Sequence, residues 1–160
     1  MSGVAVRAAA ASDLPTVAAL ACEAQALHEA ALPALYQPPE AAAAAIAADL
    51  ARVRETPGAR LLVAEADGAV VGYAHVEEQR APASPYARAS AALHLVAMVV
   101  DPARRSRGVG RALLGAVRGE ARARGLDRVT LDVYAFNERA RAFYEREGFA
   151  PLRARLAGPA

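Results

Sequence analysis

The residues best suited to chemistry form a turn rich in glycine and arginine, Val99-Val100-Asp101-Pro102-Ala103-Arg104-Arg105-Ser106-Arg107-Gly108-Val109-Gly110-Arg111. An almost wholly apolar segment precedes this turn, and apolar residues at helical spacing follow it. Glycines let the backbone approach a ligand closely, and the free N–H groups at the start of a helix favour negative charge. The pattern therefore predicts a binding site for a pyrophosphate.

Two common phosphate-binding motifs are excluded by residues that this turn lacks. A dinucleotide-binding fingerprint needs a third glycine at the position where Leu113 stands. A P-loop needs Gly-Lys-Ser/Thr, and the chain contains no lysine. The pattern that remains is R-x-x-G-x-G, formed by Arg105, Gly108 and Gly110.

A second motif follows at N-x-x-A-x-x-x-Y-x-x-x-G-F, formed by Asn137, Ala140, Tyr144, Gly148 and Phe149. Together the two motifs resemble the acetyl-coenzyme A signature of the GNAT superfamily of N-acetyltransferases. The resemblance is specific to its motifs from about Leu93 to Phe149, and earlier in the chain it rests on the order of elements. It implies acetyl-CoA as cosubstrate and no metal.

The resemblance also implies which residues contact acetyl-CoA. These are Met98, Val99, Val100, Arg105, Ser106, Arg107, Gly108, Val109, Gly110, Arg111, Asn137 and Tyr144. Backbone N–H groups of the turn are expected to bind the pyrophosphate, with the arginines adding charge. The main chain from Met98 to Val100 is expected to pair with the pantetheine arm, and the Met98 N–H to face the thioester carbonyl.

Three residues are candidates for proton transfer. Tyr144 is the expected acid for the leaving thiolate, although a phenol with pKa near ~10 protonates a thiolate near ~8.5 only uphill in water. His94, on the strand before the turn, is a candidate base, and a satisfied histidine in a buried strand is the alternative. Asp132 matches the position of a catalytic glutamate in ribosomal-protein alanine acetyltransferases but is one methylene shorter. The choice of base among His94, Asp132 and water stays open.

Charge divides the chain into two halves. Up to Ala103 there are 6 arginines and 11 acids, a net −5, and from Arg104 onward there are 13 arginines and 6 acids, a net +7. The basic half suits a polyanionic cofactor and the acidic half a cationic acceptor, while many of these charges simply solvate helix faces. No aromatic residues interleave with the arginines, which disfavours nucleic acid.

Composition excludes several other classes of protein and of site. No stretch of about 18 strongly apolar residues occurs, which excludes a membrane span. A single cysteine, Cys22, excludes an internal disulfide and a cysteine zinc site, and a cytoplasmic location is expected. A covalent acetyl-enzyme is disfavoured because Cys22 falls on the first predicted helix, away from the turn.

The periodicity predicts ten elements in one α/β (α+β) domain over residues 1–160. These are a strand over Val4–Ala8, a helix capped by Ser12 or Asp13, a helix over Glu40–Arg54, strands over Arg60–Ala66, Val70–Glu77 and Ala91–Val100, a helix from the turn to about Arg124, a strand over Arg128–Tyr134, a helix over Asn137–Glu147 and a strand over Ala150–Leu156. The strand over Ala91–Val100 is expected to be buried on both faces. Their order matches the GNAT fold, a mixed, twisted sheet with helices on both faces.

The predicted function is transfer of acetyl from acetyl-CoA to a primary amine by direct attack in a ternary complex. The alternatives are a protein N-terminal acetyltransferase and a non-catalytic acyl-CoA-binding sensor, and Tyr144 argues against the sensor. The acceptor is a small-molecule amine or a peptide N-terminus, and a homodimer is compatible with the resemblance. Candidate acceptor contacts are His28, Tyr36, Glu77, Glu78 and Tyr86.

Overall fold

Five strands form one sheet in the computed structural model, which describes residues 3–159. The strands are β1 (Ala5–Ala8), β2 (Ala59–Ala66), β3 (Ala69–Ala81), β4 (Ser90–Val100) and β5 (Val129–Leu131). They lie side by side in chain order, antiparallel from β1 to β4, whereas β5 runs parallel to β4. The sheet is therefore mixed, as the sequence predicts.

Four helices cover the two faces of this sheet: α1 (Leu14–Ala31), α2 (Pro39–Glu55), α3 (Val109–Ala123) and α4 (Glu138–Arg146). Helices α1 and α2 bury Val17 and Val53 against Tyr73 and Val99 on one face, hereafter the α1/α2 face. Helix α3 buries Leu113, Leu114 and Val117 against Leu93 and Leu95 on the other, the α3/α4 face, where Phe143 and Tyr144 of α4 also pack. The prediction of helices on both faces is confirmed.

A β-bulge in β4 changes which residues face which layer. Leu95 pairs with Val76 and Ala97 pairs with His75, so Val96 is an extra residue in the register. Side chains alternate along a strand, and one inserted residue reverses that alternation. Before the bulge His94 lies on the α1/α2 face, and after it Met98 and Val100 pack on the α3/α4 face.

Three predictions about strands are wrong in part. Strand β5 has three residues, because the chain leaves the sheet after Leu131. The segment Ala150–Leu156 forms no strand, since Pro151 lacks an N–H group and the short β5 offers little edge to pair with. The prediction that the segment 91–100 is buried on both faces is wrong at Val96. This residue is 46% exposed, because β5 covers only the first part of β4.

The start of α1 also differs from the prediction. Asp13 precedes the helix, but its carboxylate does not cap α1. It accepts hydrogen bonds from the Arg7 guanidinium at 2.6 Å and from the Ala10 N–H at 2.7 Å. Asp13 thus ties β1 to α1. Within residues 3–159, no helix is both long and apolar enough to cross a bilayer.

Candidate functional site

One edge of β4 is left open beside the glycine-rich turn. Within residues 3–159, β5 pairs with β4 only along 93–95. The Asp101 N–H donates to the Val71 carbonyl at 2.9 Å, and main-chain groups alternate in direction along an antiparallel strand. Met98 and Val100 therefore direct their N–H and C=O groups away from β3, to the open edge. An extended chain such as a pantetheine arm fits this edge as an added strand.

The turn itself is shaped by backbone in the left-handed region. Ser106 has φ 62° and Gly108 has φ 82°, and Gly108 precedes the first residue of α3. The Gly108 carbonyl accepts the first helical bond from Ala112 at 2.9 Å. The N–H groups of the first helical turn have no intrahelical acceptor by geometry, so they are available to an anion.

The two glycines of the motif serve different purposes. A Cβ on Gly108 would meet nothing within 4 Å, so glycine is favoured there by its positive φ and by open space for a ligand. A Cβ on Gly110 would lie 3.4 Å from the Phe143 ring. Gly110 therefore allows α4 to pack closely against the start of α3.

Most arginines around the turn contact protein groups. Arg105 Nε donates to the Val100 carbonyl at 3.2 Å, which closes the turn onto β4. Arg104 pairs with Asp67 at 3.0 Å, and Arg111 pairs with Glu147 at 2.9 Å. Arg107 is exposed. Backbone N–H groups are thus the main groups of the turn that are available to an anion, and the arginines hold the turn in shape.

Helix α4 carries the two residues of the second motif. Asn137 Oδ1 accepts a hydrogen bond from the Ala140 N–H at 3.1 Å and caps the helix. Tyr144 packs edge-to-face on Phe143 and Phe149, with ring centroids 5.3 and 5.6 Å apart. Burial raises the pKa of Tyr144 to about 12. Its hydroxyl therefore keeps its proton at neutral pH.

Arg118, which the sequence reasoning missed, joins α3 to the end of α4. Its guanidinium lies 5.5 Å from the centre of the Phe149 ring and donates to the Glu147 carbonyl. Because Phe149 in turn packs on Tyr144, Arg118 helps to fix the phenol.

His94 and Asp132 converge across β4 and β5. The Nδ1 atom of His94 lies 3.0 Å from Thr130 Oγ1, and its Nε2 atom lies 3.8 Å from Asp132 Oδ2. Thr130, which the sequence reasoning missed, anchors one ring nitrogen. The other nitrogen lies beside a carboxylate that stabilises an imidazolium. This pair is suited to accept a proton.

An aromatic cluster joins the α1–α2 loop to the segment after β5. It consists of His28, Tyr36, Tyr134 and Phe136, with ring centroids 5.1–5.9 Å apart. The Tyr36 and Tyr134 hydroxyls are 2.5 Å apart, and burial together with this bond raises the pKa of Tyr36 to about 12. Sequence reasoning named His28 and Tyr36, but no local signal pointed to Tyr134 and Phe136.

The other candidate acceptor residues separate in space. Glu77 pairs with His94 across β3 and β4 and shares its face. Glu78 points to the α3/α4 face, where its carboxylate lies 3.8 Å from Arg124. Tyr86 is 98% exposed in a loop. Within residues 3–159, no group of three or more His, Cys, Asp or Glu side chains is arranged to hold a metal ion.

Comparison with known proteins gives a family and a fold. The sequence model of the acetyltransferase (GNAT) family matches residues 23–149. A mycothiol acetyltransferase of Beutenbergia cavernae is 53% identical over 53 residues, which cover 33% of this chain and 18% of that protein. The chain thus spans less than a fifth of that relative's length.

Two solved structures share the fold at low sequence identity. The tetramutant of the BH1408 protein from Bacillus halodurans superimposes with a TM-score of 0.92 at 23% identity, covering 98% of this chain and 99% of that one. An aminoglycoside N-acetyltransferase in complex with CoA has a TM-score of 0.71 at 20% identity, covering 100% and 96%. At these identities the likeness is one of fold.

Proposed function

Because the chain belongs to the acetyltransferase (GNAT) family, we propose that it transfers an acetyl group from acetyl-CoA to a primary amine. The amine attacks directly within a ternary complex. The observation that carries the proposal is the meeting of two features at the end of β4. The open edge at Met98 and Val100 continues into a turn whose N–H groups are available to an anion. An extended thioester arm that ends in a pyrophosphate fits both.

The residues present suit coenzyme A in shape and charge. Met98 and Val100 pair with the extended arm, and the Met98 N–H is directed to donate to the thioester carbonyl oxygen. The first turn of α3, beginning at Val109, binds the pyrophosphate with main-chain N–H groups. Bound acetyl-CoA supplies an activated thioester, and the chain supplies alignment, a base and a hydrogen-bond donor.

The base in this proposal is His94, supported by two neighbours. Thr130 holds one ring nitrogen, so the other is free to take the proton that the amine loses. Asp132, 3.8 Å from that second nitrogen, stabilises the imidazolium that results. Asp132 acts through His94 because its own carboxylate is largely exposed, at 77%.

Tyr144 in this proposal acts on the departing sulfur. With its pKa at about 12, complete transfer of its proton to a thiolate whose conjugate acid is near ~8.5 is uphill. The phenol therefore donates a hydrogen bond to the sulfur as negative charge develops there, and solvent completes the protonation. The C–N bond forms as the C–S bond breaks, and the amine proton leaves through His94.

A second candidate is acetylation of a protein N-terminus, favoured by the position of Asp132. The relatives suggest other acceptors, since their names state mycothiol and aminoglycosides. A non-catalytic acyl-CoA sensor is a third candidate, which the proton-bearing phenol of Tyr144 disfavours. All three share the coenzyme A site and differ in what occupies the α1/α2 face.

The test has two parts. Calorimetry with acetyl-CoA measures the binding that every candidate requires. A thiol-release assay then follows acetyl-CoA consumption with polyamines, aminoglycosides, amino acids and N-terminal peptides. We expect binding and turnover with small amines. Binding without turnover on any amine supports the sensor, and absence of acetyl-CoA binding overturns the proposal.

A further inference from the structure

Glu77 is held by a buried histidine on the α1/α2 face. The His75 side chain is 9% exposed, and its Nε2 atom lies 2.9 Å from Glu77 Oε1. The two residues are two apart on β3 and share a face. Burial lowers the pKa of His75 despite the nearby carboxylate, so the imidazole is neutral at neutral pH. It orients Glu77 without cancelling its charge.

The neighbouring glutamate has the opposite environment. Glu78 pairs with Arg80 at 2.5 Å and lies 3.8 Å from Arg124, so its charge is compensated within the fold. Within residues 3–159, the ion pair of Glu77 is limited to His75. The nearby cation on α2, Arg52, pairs with Asp49 at 2.5 Å. Glu77 therefore presents an oriented negative charge to the acceptor side of the sheet.

The position of Glu77 relative to His94 sets the distance between two groups that one acceptor molecule could contact. The two residues are direct partners in the antiparallel pair of β3 and β4. Cβ atoms of such partners are about 5 Å apart on the same face. A molecule that places one amine at His94 thus brings groups a few atoms away within reach of Glu77, whose side chain is 43% exposed.

We propose that Glu77, oriented by His75, binds a second cationic group of the acceptor while the reacting amine lies at His94. The enzyme therefore favours a short diamine over a monoamine of the same length. This inference rests on the proposed function, and it adds a subsite to the site already described. His75 is a positioning residue, since it acts through Glu77.

The test compares 1,4-diaminobutane with 1-aminobutane as acceptors for the full chain. We expect the wild type to acetylate the diamine with a kcat/KM at least tenfold higher. In Glu77→Gln the KM for the diamine rises about tenfold and kcat changes little, because a charged hydrogen bond to the distal ammonium is lost. Kinetics with the monoamine change far less, because the monoamine carries no distal ammonium. Glu78→Gln is the matched control and preserves the preference for the diamine.

A second pair of variants tests the role of His75. His75→Phe removes the donor to Glu77 and raises the KM for the diamine, whereas His75→Gln keeps an N–H donor and restores much of the preference. A purely structural role of His75 would affect the two amines equally.

Several outcomes overturn the inference. They are equal acetylation of the two amines by the wild type, equal losses on both amines in Glu77→Gln, and acetylation of neither amine. The proposed function fails separately, when acetyl-CoA binding or turnover on every amine of the wider panel is absent.

Discussion

The two sides of the sheet form the site in different ways. On the proposed acetyl-CoA side, the turn and the open edge of β4 offer main-chain groups, and Gly108 keeps that backbone accessible. On the proposed acceptor side, His94, Thr130 and Glu77 offer side chains from three strands. A main-chain site depends on local dihedral angles. A side-chain site depends on register between strands that are distant in sequence.

The largest effect is expected at Tyr144, where the acetyl-CoA side depends on a side chain. Tyr144→Phe keeps the ring packing on Phe143 and Phe149 but removes the hydroxyl. We expect kcat to fall about 50-fold, because a hydrogen bond to a developing thiolate is lost. The dissociation constant of acetyl-CoA should stay within about twofold. Steady-state kinetics and calorimetry measure the two quantities.

Tyr86→Phe is the control for that change, since Tyr86 is 98% exposed in a loop and should be silent. An unchanged kcat in Tyr144→Phe would show that the phenol takes no part in the reaction. The proposed acetyl-CoA side would then act through main-chain groups alone.

The next effect is expected on the acceptor side. His94→Ala should lower kcat/KM for an amine acceptor about 20-fold, because the attacking amine loses the group that takes its proton. Steady-state kinetics with the amine acceptor measure this.

Two variants at Thr130 refine that result. Thr130→Val removes the hydrogen-bond partner of His94 Nδ1 and should lower kcat/KM less than His94→Ala does. Thr130→Ser keeps a hydroxyl and should restore kcat/KM. An unchanged kcat/KM in His94→Ala would exclude His94 as the base.

A third variant tests whether the turn binds acetyl-CoA through its main-chain groups. Gly108→Val places a β-branched residue at φ 82°, which costs about 1–2 kcal/mol in the left-handed region. We expect the dissociation constant of acetyl-CoA to rise about tenfold, since 1.4 kcal/mol corresponds to a factor of ten.

The control is Gly115→Ala, at an exposed position of α3 where a Cβ meets nothing within 4 Å. That change should leave acetyl-CoA binding intact and stabilise the helix slightly. Equal acetyl-CoA affinity in Gly108→Val and the wild type would contradict binding by the backbone of the turn.

The smallest effect concerns the stability of the acceptor side. Burial lowers the pKa of folded His75 below that of the unfolded chain, so the unfolded chain binds a proton first as the pH falls. The free energy of unfolding should therefore decrease below about pH 6.5, by about 1 kcal/mol for each pKa unit of difference. Urea denaturation at pH 7.5 and 5.5 measures it.

His75→Gln should lose less stability than the wild type over the same pH interval, because a glutamine does not titrate. The same dependence on pH in both proteins would show that burial of His75 carries no such cost.

The sequence predicted most elements to within one or two residues, because helical and strand periodicity are local. It also predicted the turn between β4 and α3, since that motif lies within a short segment, and the role of Tyr144 stays a prediction. The wrong predictions concern pairing. The segment 150–156 alternates apolar and charged residues like a strand, yet Pro151 and the three-residue β5 leave it unpaired.

The sequence by itself determined the shape of the glycine-rich turn, because a glycine at position 108 allows the left-handed backbone found there. Only the tertiary structure decided the acceptor side. The pairing of β4 with β5 brings His94, Thr130 and Asp132 together, and the bulge at Val96 changes which later residues of β4 face each layer. The alternation of side chains along β3 then places Glu77 and Glu78 on opposite faces of the sheet. These relations depend on strand register, which is set by packing across the whole sheet and leaves no local pattern.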